Sequence, residues 1–285
     1  MAEHGFAFGD AYVRVSVFEA SGRSSAPTLY FLHGRFGRQE CWKPLVQQLP
    51  QFRRVVLDFP GFGSSFSARE RGFSLAEHVK LANELLDRIP PLQSSSVGAI
   101  LVGHDFGGTV ASMVAVQSPG RVAGLILVNA ASPCEPLEAN AGVFGWAARW
   151  EAFHELRNTR GLWPEVEGML IEPWLSRNSR RALVRSLKSL ERTWPGQYER
   201  NFWRETLKKS DLAALILWGG RDTVHPLEKG VALARAFPFS DFYVDPAVGH
   251  WPNLDSTAWV GARLREFVFR LGLSRSTYDR KSLSR

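Results

Sequence analysis

Leu101-Val102-Gly103-His104-Asp105-Phe106-Gly107-Gly108 (LVGHDFGG) joins an apolar run to a glycine-flanked bend, and the small residues of FGGTVASMVAVQS follow. The pattern predicts a buried strand that turns sharply into a helix, with Asp105 at the bend. Bends of this form are nucleophile elbows, and serine is their familiar occupant. An aspartate there asks what chemistry wants a carboxylate.

Outward from the elbow, short apolar runs alternate with amphipathic helical patterns, the mark of a mostly parallel sheet covered by helices. YVRVSVFEA reads as an early strand, and PTLYFLH, RRVVLDF, VGAILVGH and RVAGLILVNAA as further strands. SLAEHVKLANELLDRI reads as a helix that Ser74 can cap. After Ser132 the rhythm breaks. Residues 133–210 hold no convincing buried strand and carry six tryptophans, which predicts an inserted helical cap. Within it Leu183, Leu187, Leu190 and Trp194 share one helical face, with Arg and Lys opposite, as in a helix whose outer face is solvated. The α/β rhythm resumes at LAALILWGG and closes with a helix from about Asn253 to Leu271. The expected fold is α/β, with core segments 1–132 and 211–272, the cap at 133–210 and a basic, frayed tail at 273–285.

Composition narrows the class. A chain of 285 residues with 45% hydrophobic residues can bury one large core. No stretch approaches the length of a membrane span and the N-terminus lacks the pattern of a signal peptide, so a cytoplasmic protein, monomeric or homodimeric, is expected. Cys41 and Cys134 lie far apart without metal-ligand spacing, so no disulfide framework, metal or organic cofactor is implied. The net charge is +7, but Arg275, Arg280, Lys281 and Arg285 against Asp279 concentrate part of it in the tail, leaving too little for a nucleic-acid partner. A small-molecule substrate is the expected partner.

Three acid or base positions follow predicted strands: Asp105 at the elbow, Asp222 in LWGGRDTVHP and His250 in AVGHWPNLD. The order nucleophile, acid, histidine resembles the α/β-hydrolase superfamily over about residues 8–272. Within it, GHD-x-GG resembles the aspartate-nucleophile branch of epoxide hydrolases and of haloalkane or haloacid dehalogenases. LYFLHGRFG is similar to the family's loop after the third core strand, which implies an oxyanion hole from the backbone N–H groups of Arg35 and Phe106. LDFPGFGSS is similar to the loop after the next strand. The resemblance also implies that His33 and His104 brace these loops rather than react.

A serine attacking a saturated carbon would leave an ether that water does not remove. A carboxylate leaves an ester, which His250 can hydrolyse by activating water while Asp222 orients the imidazole. Attack of a carboxylate on an acyl ester would instead give an anhydride. The expectation is therefore a hydrolase working through an alkyl-enzyme ester on Asp105, epoxide-hydrolase-like on a small or medium apolar substrate. A dehalogenase with the same triad is the alternative, and a non-catalytic binding or sensing protein the rival of another class. Epoxide opening needs an acid in the cap, and the resembling enzymes use two tyrosines. Here the first such position falls near Trp150 or Glu151, and the second reads Asn201-Phe202-Trp203-Arg204. Trp150, Glu151, His154, Tyr198 and Trp203 are thus the candidate donors or pocket residues, with Tyr198 the cap's phenol.

Overall fold

The structure, a computed structural model, describes residues 2–21, 26–68, 71–93, 95, 98–118, 120–137 and 177–282, with backbone alone for 177–180 and 273–282. A sheet in the order β1-β2-β4-β3-β6-β7-β8-β9 runs through it, with β5 attached beside β2. The strands are β1 (Ala2–Phe8), β2 (Ala11–Phe18), β3 (Thr28–Leu32), β4 (Arg53–Leu57), β5 (Phe66–Ser67), β6 (Ala99–His104), β7 (Val122–Val128), β8 (Ala214–Gly219) and β9 (Ser240–Asp245). From β4 to β9 each neighbouring pair is parallel, while β1, β2 and β5 pair antiparallel.

Burial explains the order. Every residue of β3, β6, β7 and β8 is buried, as strands covered on both faces require. β1 is mostly exposed and sits at the edge, joined to β2 through Gly9, whose φ of 58° suits a tight turn. Its few buried apolar positions explain why the sequence pattern predicted no strand there.

The helices that matter for the site are α1 (Lys43–Gln47), α2 (Leu75–Arg88), α3 (Phe106–Gln117), α4 (Arg177–Thr193), α5 (Gln197–Lys208), α6 (Leu227–Ala236), α7 (Pro252–Asp255) and α8 (Thr257–Ser282). Ser74 and Glu77 form the reciprocal capping box that opens α2. Between β7 and β8, in the expected cap, α4 turns Leu183, Leu187 and Leu190 inward. It lies so close to the loops beneath that a Cβ on Gly72 would come 2.3 Å from the Arg185 carbonyl oxygen. The helix after β9 breaks at Ser256, and α8 then continues to Ser282 rather than stopping near residue 272 in a frayed tail. Past Gly272 the sequence has neither glycine nor proline to end it. Among the described residues no helix is long and apolar enough to cross a membrane.

The close approach of α3 to the sheet is what glycine permits. A Cβ on Gly107 would lie 2.2 Å from the Leu32 carbonyl oxygen and 2.6 Å from that of His33. One on Gly103 would lie 2.5 Å from Gly108 Cα. Gly107→Ala must push α3 away from β3, and a loss of about 3 kcal/mol is expected from such overpacking. It should appear as a lower urea midpoint at unchanged slope. An unchanged midpoint would mean that the helix does not depend on this approach.

Candidate active site

Asp105 occupies the bend between β6 and α3 with φ 48° and ψ −123°, a conformation costly for a residue with a side chain. Surrounding bonds hold it there: its N–H donates to the Val128 carbonyl at 3.3 Å, and its carbonyl accepts from the N–H groups of Gly108 and Ala131, each at 3.0 Å. The side chain is thereby lifted toward the β3–α1 loop. Gly34 makes room, since a Cβ there would lie 2.7 Å from Asp105 Cβ.

The carboxylate takes four hydrogen bonds. Oδ2 accepts from the Arg35 backbone N–H at 2.9 Å and from Arg35 Nε at 3.0 Å. Oδ1 accepts from Arg35 Nη2 at 2.7 Å and from His225 Nε2 at 2.7 Å. An ionised carboxylate can only accept, so His225 carries its proton on Nε2. Arg35 is 1% exposed and Asp105 2%. Burial alone would raise the Asp105 carboxyl, but the Arg35 guanidinium and the His225 hydrogen bond outweigh it and hold it well below the usual range. Burial lowers His225 and so favours its neutral imidazole, against the opposing pull of the Asp105 carboxylate.

Beside this lies a second carboxylate with a different task. Asp222, in the loop after β8, accepts from His250 Nδ1 at 2.9 Å through Oδ2. Its Oδ1 accepts from the backbone N–H groups of Val224 at 2.7 Å and His225 at 2.9 Å. Asn129, at the end of β7, donates its amide to Asp222 Oδ2 and accepts from the Gly219 N–H at 2.8 Å, so the β7 and β8 ends are locked together. Burial would raise the Asp222 carboxyl, yet the charge and hydrogen bond of His250, with further help from His225, bring it down to about 2. The arrangement fixes the His250 tautomer with its other nitrogen free to act as a base.

Asp105, Asp222 and His250 thus come together at the ends of parallel strands. Phe106 opens α3, where a helix's first N–H groups have no partner within the helix. Of the two expected oxyanion donors, Arg35 is the one hydrogen bonded to Asp105. His33 and His104 are both buried. His33 donates from Nδ1 to the Gly34 carbonyl at 2.7 Å and accepts the Phe59 N–H at 2.9 Å, tying two loops together. His104 bonds the His250 carbonyl at 2.8 Å. Burial lowers them to about 4 and about 3, respectively.

The expected donors fare differently. Trp150, Glu151 and His154 lie outside the described residues. Tyr198 is 91% exposed, which corrects the expectation that its phenol serves the site. α5 buries Trp203 and Leu207, and Tyr198, five positions before Trp203, lies about 140° around the helix from it. Trp203 is 7% exposed and belongs to the apolar core. The residue the motifs missed is His225. Its signal was its place three residues after Asp222, on the same post-strand loop.

Oxygen and nitrogen atoms of Asp105, His225 and His250 lie within 4.8 Å of one another, the dimension of a metal-ligand set. The donor chemistry favours a different cation. Arg35 already engages both carboxylate oxygens, and its positive charge would face any dication placed there. Against His225 lies a small pocket lined also by Ala130, Ser132, Glu135, Trp194 and Lys229.

Comparison with known proteins gives a match to the family described as alpha/beta hydrolase fold over residues 27–257. The chain is 31% identical over 236 residues to the pimeloyl-[acyl-carrier protein] methyl ester esterase of Cronobacter sakazakii, covering 79% of this chain and 86% of that protein. It is 28% identical over 263 residues to the dihydrolipoyllysine-residue acetyltransferase component of the acetoin cleaving system of Pseudomonas putida. That match covers 88% of this chain, which spans 65% of that protein's length. Among solved structures, a haloalkane dehalogenase from Bradyrhizobium elkani superposes with a TM-score of 0.75 at 18% identity, covering 96% of this chain and 99% of that one.

The depressed Asp222 carboxyl makes a prediction for stability. Between its folded value of about 2 and its ordinary 3.8 the native state binds fewer protons than the unfolded chain. Its contribution is therefore complete above the ordinary value and lost as pH falls through about 2. Asp222→Asn should be less stable than the parent by about 2 kcal/mol at neutral pH, with the gap closing under acid. Urea titrations across the acid range would test it, and a gap independent of pH would contradict it.

Proposed function

The chain belongs to the α/β-hydrolase fold family and is a hydrolase, and from that premise we propose that it breaks a bond at a saturated carbon through an ester on Asp105. The observation that carries this reading is the division of the elbow carboxylate into two unlike oxygens. Oδ2 lies on the Arg35 backbone N–H, the position of an oxyanion, so Oδ1 is the attacking oxygen once one of its bonds to Arg35 Nη2 and His225 Nε2 opens. Attack forms the Oδ1–carbon bond as the leaving group departs with its electron pair. His250, oriented by Asp222, then takes a proton from water, whose oxygen adds to the Asp105 carboxyl carbon. The charge that develops on Oδ2 meets the Arg35 N–H, with that of Phe106 as the second donor. Collapse releases the alcohol together with Oδ1, and His250 returns the proton. His225, 2.7 Å from Oδ1, holds the oxygen that first attacks and later departs.

The relatives' names include an acyl ester hydrolase, but a carboxylate attacking an acyl ester gives an anhydride. The acyl chemistry is therefore not carried over to Asp105. Two leaving groups fit the saturated-carbon reading. Halide is the better supported, because it leaves as a stable anion and the groups at the carboxylate are N–H donors, while the Tyr198 phenol is turned to solvent. The epoxide-hydrolase reading keeps one supporting feature, the titratable His225 beside the carboxylate.

His250→Gln should accept the alkyl group but not release it. Intact-mass measurement after exposure to an organic bromide or an epoxide should show a stable adduct that maps to Asp105, while the parent turns over. In ¹⁸O water the parent should place label in the Asp105 side chain before product. Label that enters product with none in Asp105 would overturn the covalent mechanism. A protein that forms no adduct and turns over no electrophile would instead fit the binding-protein alternative.

A further inference from the structure

Hydrolysis of an ester on Asp105 has two proton tasks. Water must lose a proton as it adds to the carboxyl carbon, and Oδ1 must gain one as it departs with the alkyl group, because an alkoxide is a poor leaving group. His250, fixed by Asp222, serves the first task. Oδ1 has neighbours of its own, Arg35 Nη2 and His225 Nε2, each at 2.7 Å. A guanidinium does not give up a proton in a protein, whereas an imidazole does.

We propose that His225 is a second catalytic histidine, which hands its Nε2 proton to Oδ1 as the alcohol leaves and draws a replacement through Nδ1 from water in the adjoining pocket. The proposal rests on the covalent reading above and concerns its second step. In that step the bond between the Asp105 carboxyl carbon and Oδ1 breaks and its electron pair stays on Oδ1. The new O–H bond takes the Nε2 proton while Nδ1 takes one from water. The regenerated Asp105 carboxylic acid then protonates Nε2 and Nδ1 releases its proton, which restores the starting tautomer. His250 returns to solvent the proton it took from the attacking water, so one proton is released for each organic halide hydrolysed.

Placement, timing and proton supply all favour this role. The backbone of His225 is pinned on both sides, its N–H donating to Asp222 Oδ1 at 2.9 Å and its carbonyl accepting from Trp218 Nε1 at 3.0 Å. Arg35 keeps Oδ2 through Nε and its backbone N–H, so opening of the Nη2 bond frees Oδ1 for attack and leaves His225 beside it. The rings of His225 and His250 lie 5.3 Å apart between centroids. Once His250 has taken a proton from water, its positive charge favours loss of a proton from His225, at the stage when Oδ1 needs one. Among the described residues Nδ1 of His225 has no hydrogen-bond partner. His225 lines a pocket that has room for a water molecule, with Ser132, Glu135 and Lys229 as further polar walls.

A group that protonates a leaving oxygen matters most when that oxygen leaves badly. His225→Gln keeps an N–H toward Oδ1 but holds no proton acidic enough to give, and His225→Phe keeps the ring shape without an N–H. Each variant is alkylated with 1-bromobutane or with bromoacetonitrile, whose ester releases a far more acidic alcohol. Loss of the adduct is then followed by intact mass after removal of the bromide, with the parent followed by rapid quench. The butyl ester should decay about a hundredfold more slowly than in the parent, the order expected for one general acid, and the cyanomethyl ester less than about tenfold more slowly. The adduct, mapped to Asp105, itself shows that the variant has folded. Equal slowing of both esters would mark His225 as a packing residue and overturn the proposal, as would unchanged decay of the butyl ester. Failure of both variants to form an adduct that His250→Gln does form would also overturn it, since His225 would then serve the first step or the fold. No adduct from either bromide in His250→Gln would remove the covalent reading, and the role of His225 with it.

Discussion

A buried guanidinium against a buried carboxylate is the constraint around which the site is organised. Arg35 and Asp105 come from loops seventy residues apart in sequence, and neither charge could be buried without the other. The pairing fixes the β3–α1 loop over the elbow, and that in turn places the Arg35 backbone N–H on Oδ2. A single contact thus sets both the ionisation of the carboxylate and the distinction between its two oxygens.

The backbone beneath has to supply the strain that this placement requires. Asp105 and Asn129 are the described non-glycine residues with positive φ, at 48° and 39°, and they terminate the neighbouring strands β6 and β7. The Asp105 N–H bonds to Val128 of β7, and Asn129 bonds to Leu217 and Gly219 of β8. Asn129 secures Asp222, and Asp222 secures both His250 and the backbone of His225. The two strained residues therefore anchor two linked halves of one network, Asp105 at the end of β6 and, secured by Asn129 at the end of β7, the pair of Asp222 after β8 and His250 after β9. Such strain survives only where the surroundings over-determine it, and fully buried parallel strands do so.

The elbow, the strand ends and the order of Asp105, Asp222 and His250 were legible because each combines a local signal with a fixed place in a repeating α/β pattern. LVGHDFGG shows an apolar run, a bend and small residues together, and the glycines proved to be close approaches of backbone to backbone. What the sequence concealed were relationships between side chains from distant segments. The loop motif around Arg35 speaks only of backbone, and nothing local says where a guanidinium will point. The meaning of His225 depends on Asp105, which is distant in sequence. The phenol of Tyr198 carries the right chemistry, yet its helical phase relative to Trp203 and Leu207 puts it on the polar face.

The same reasoning explains why the elbow residue outweighs overall similarity when chemistry is assigned. The family shares a sheet, an elbow and a histidine–acid pair, and these serve any reaction in which an enzyme ester or acyl group must be hydrolysed. The nucleophile decides which bond can be broken first. A hydroxyl nucleophile yields a hydrolysable ester only from an acyl substrate, and a carboxylate yields one only from an alkyl substrate. With Asp105 held by Arg35, a further condition applies: the site must keep its charges paired while the carboxylate is consumed.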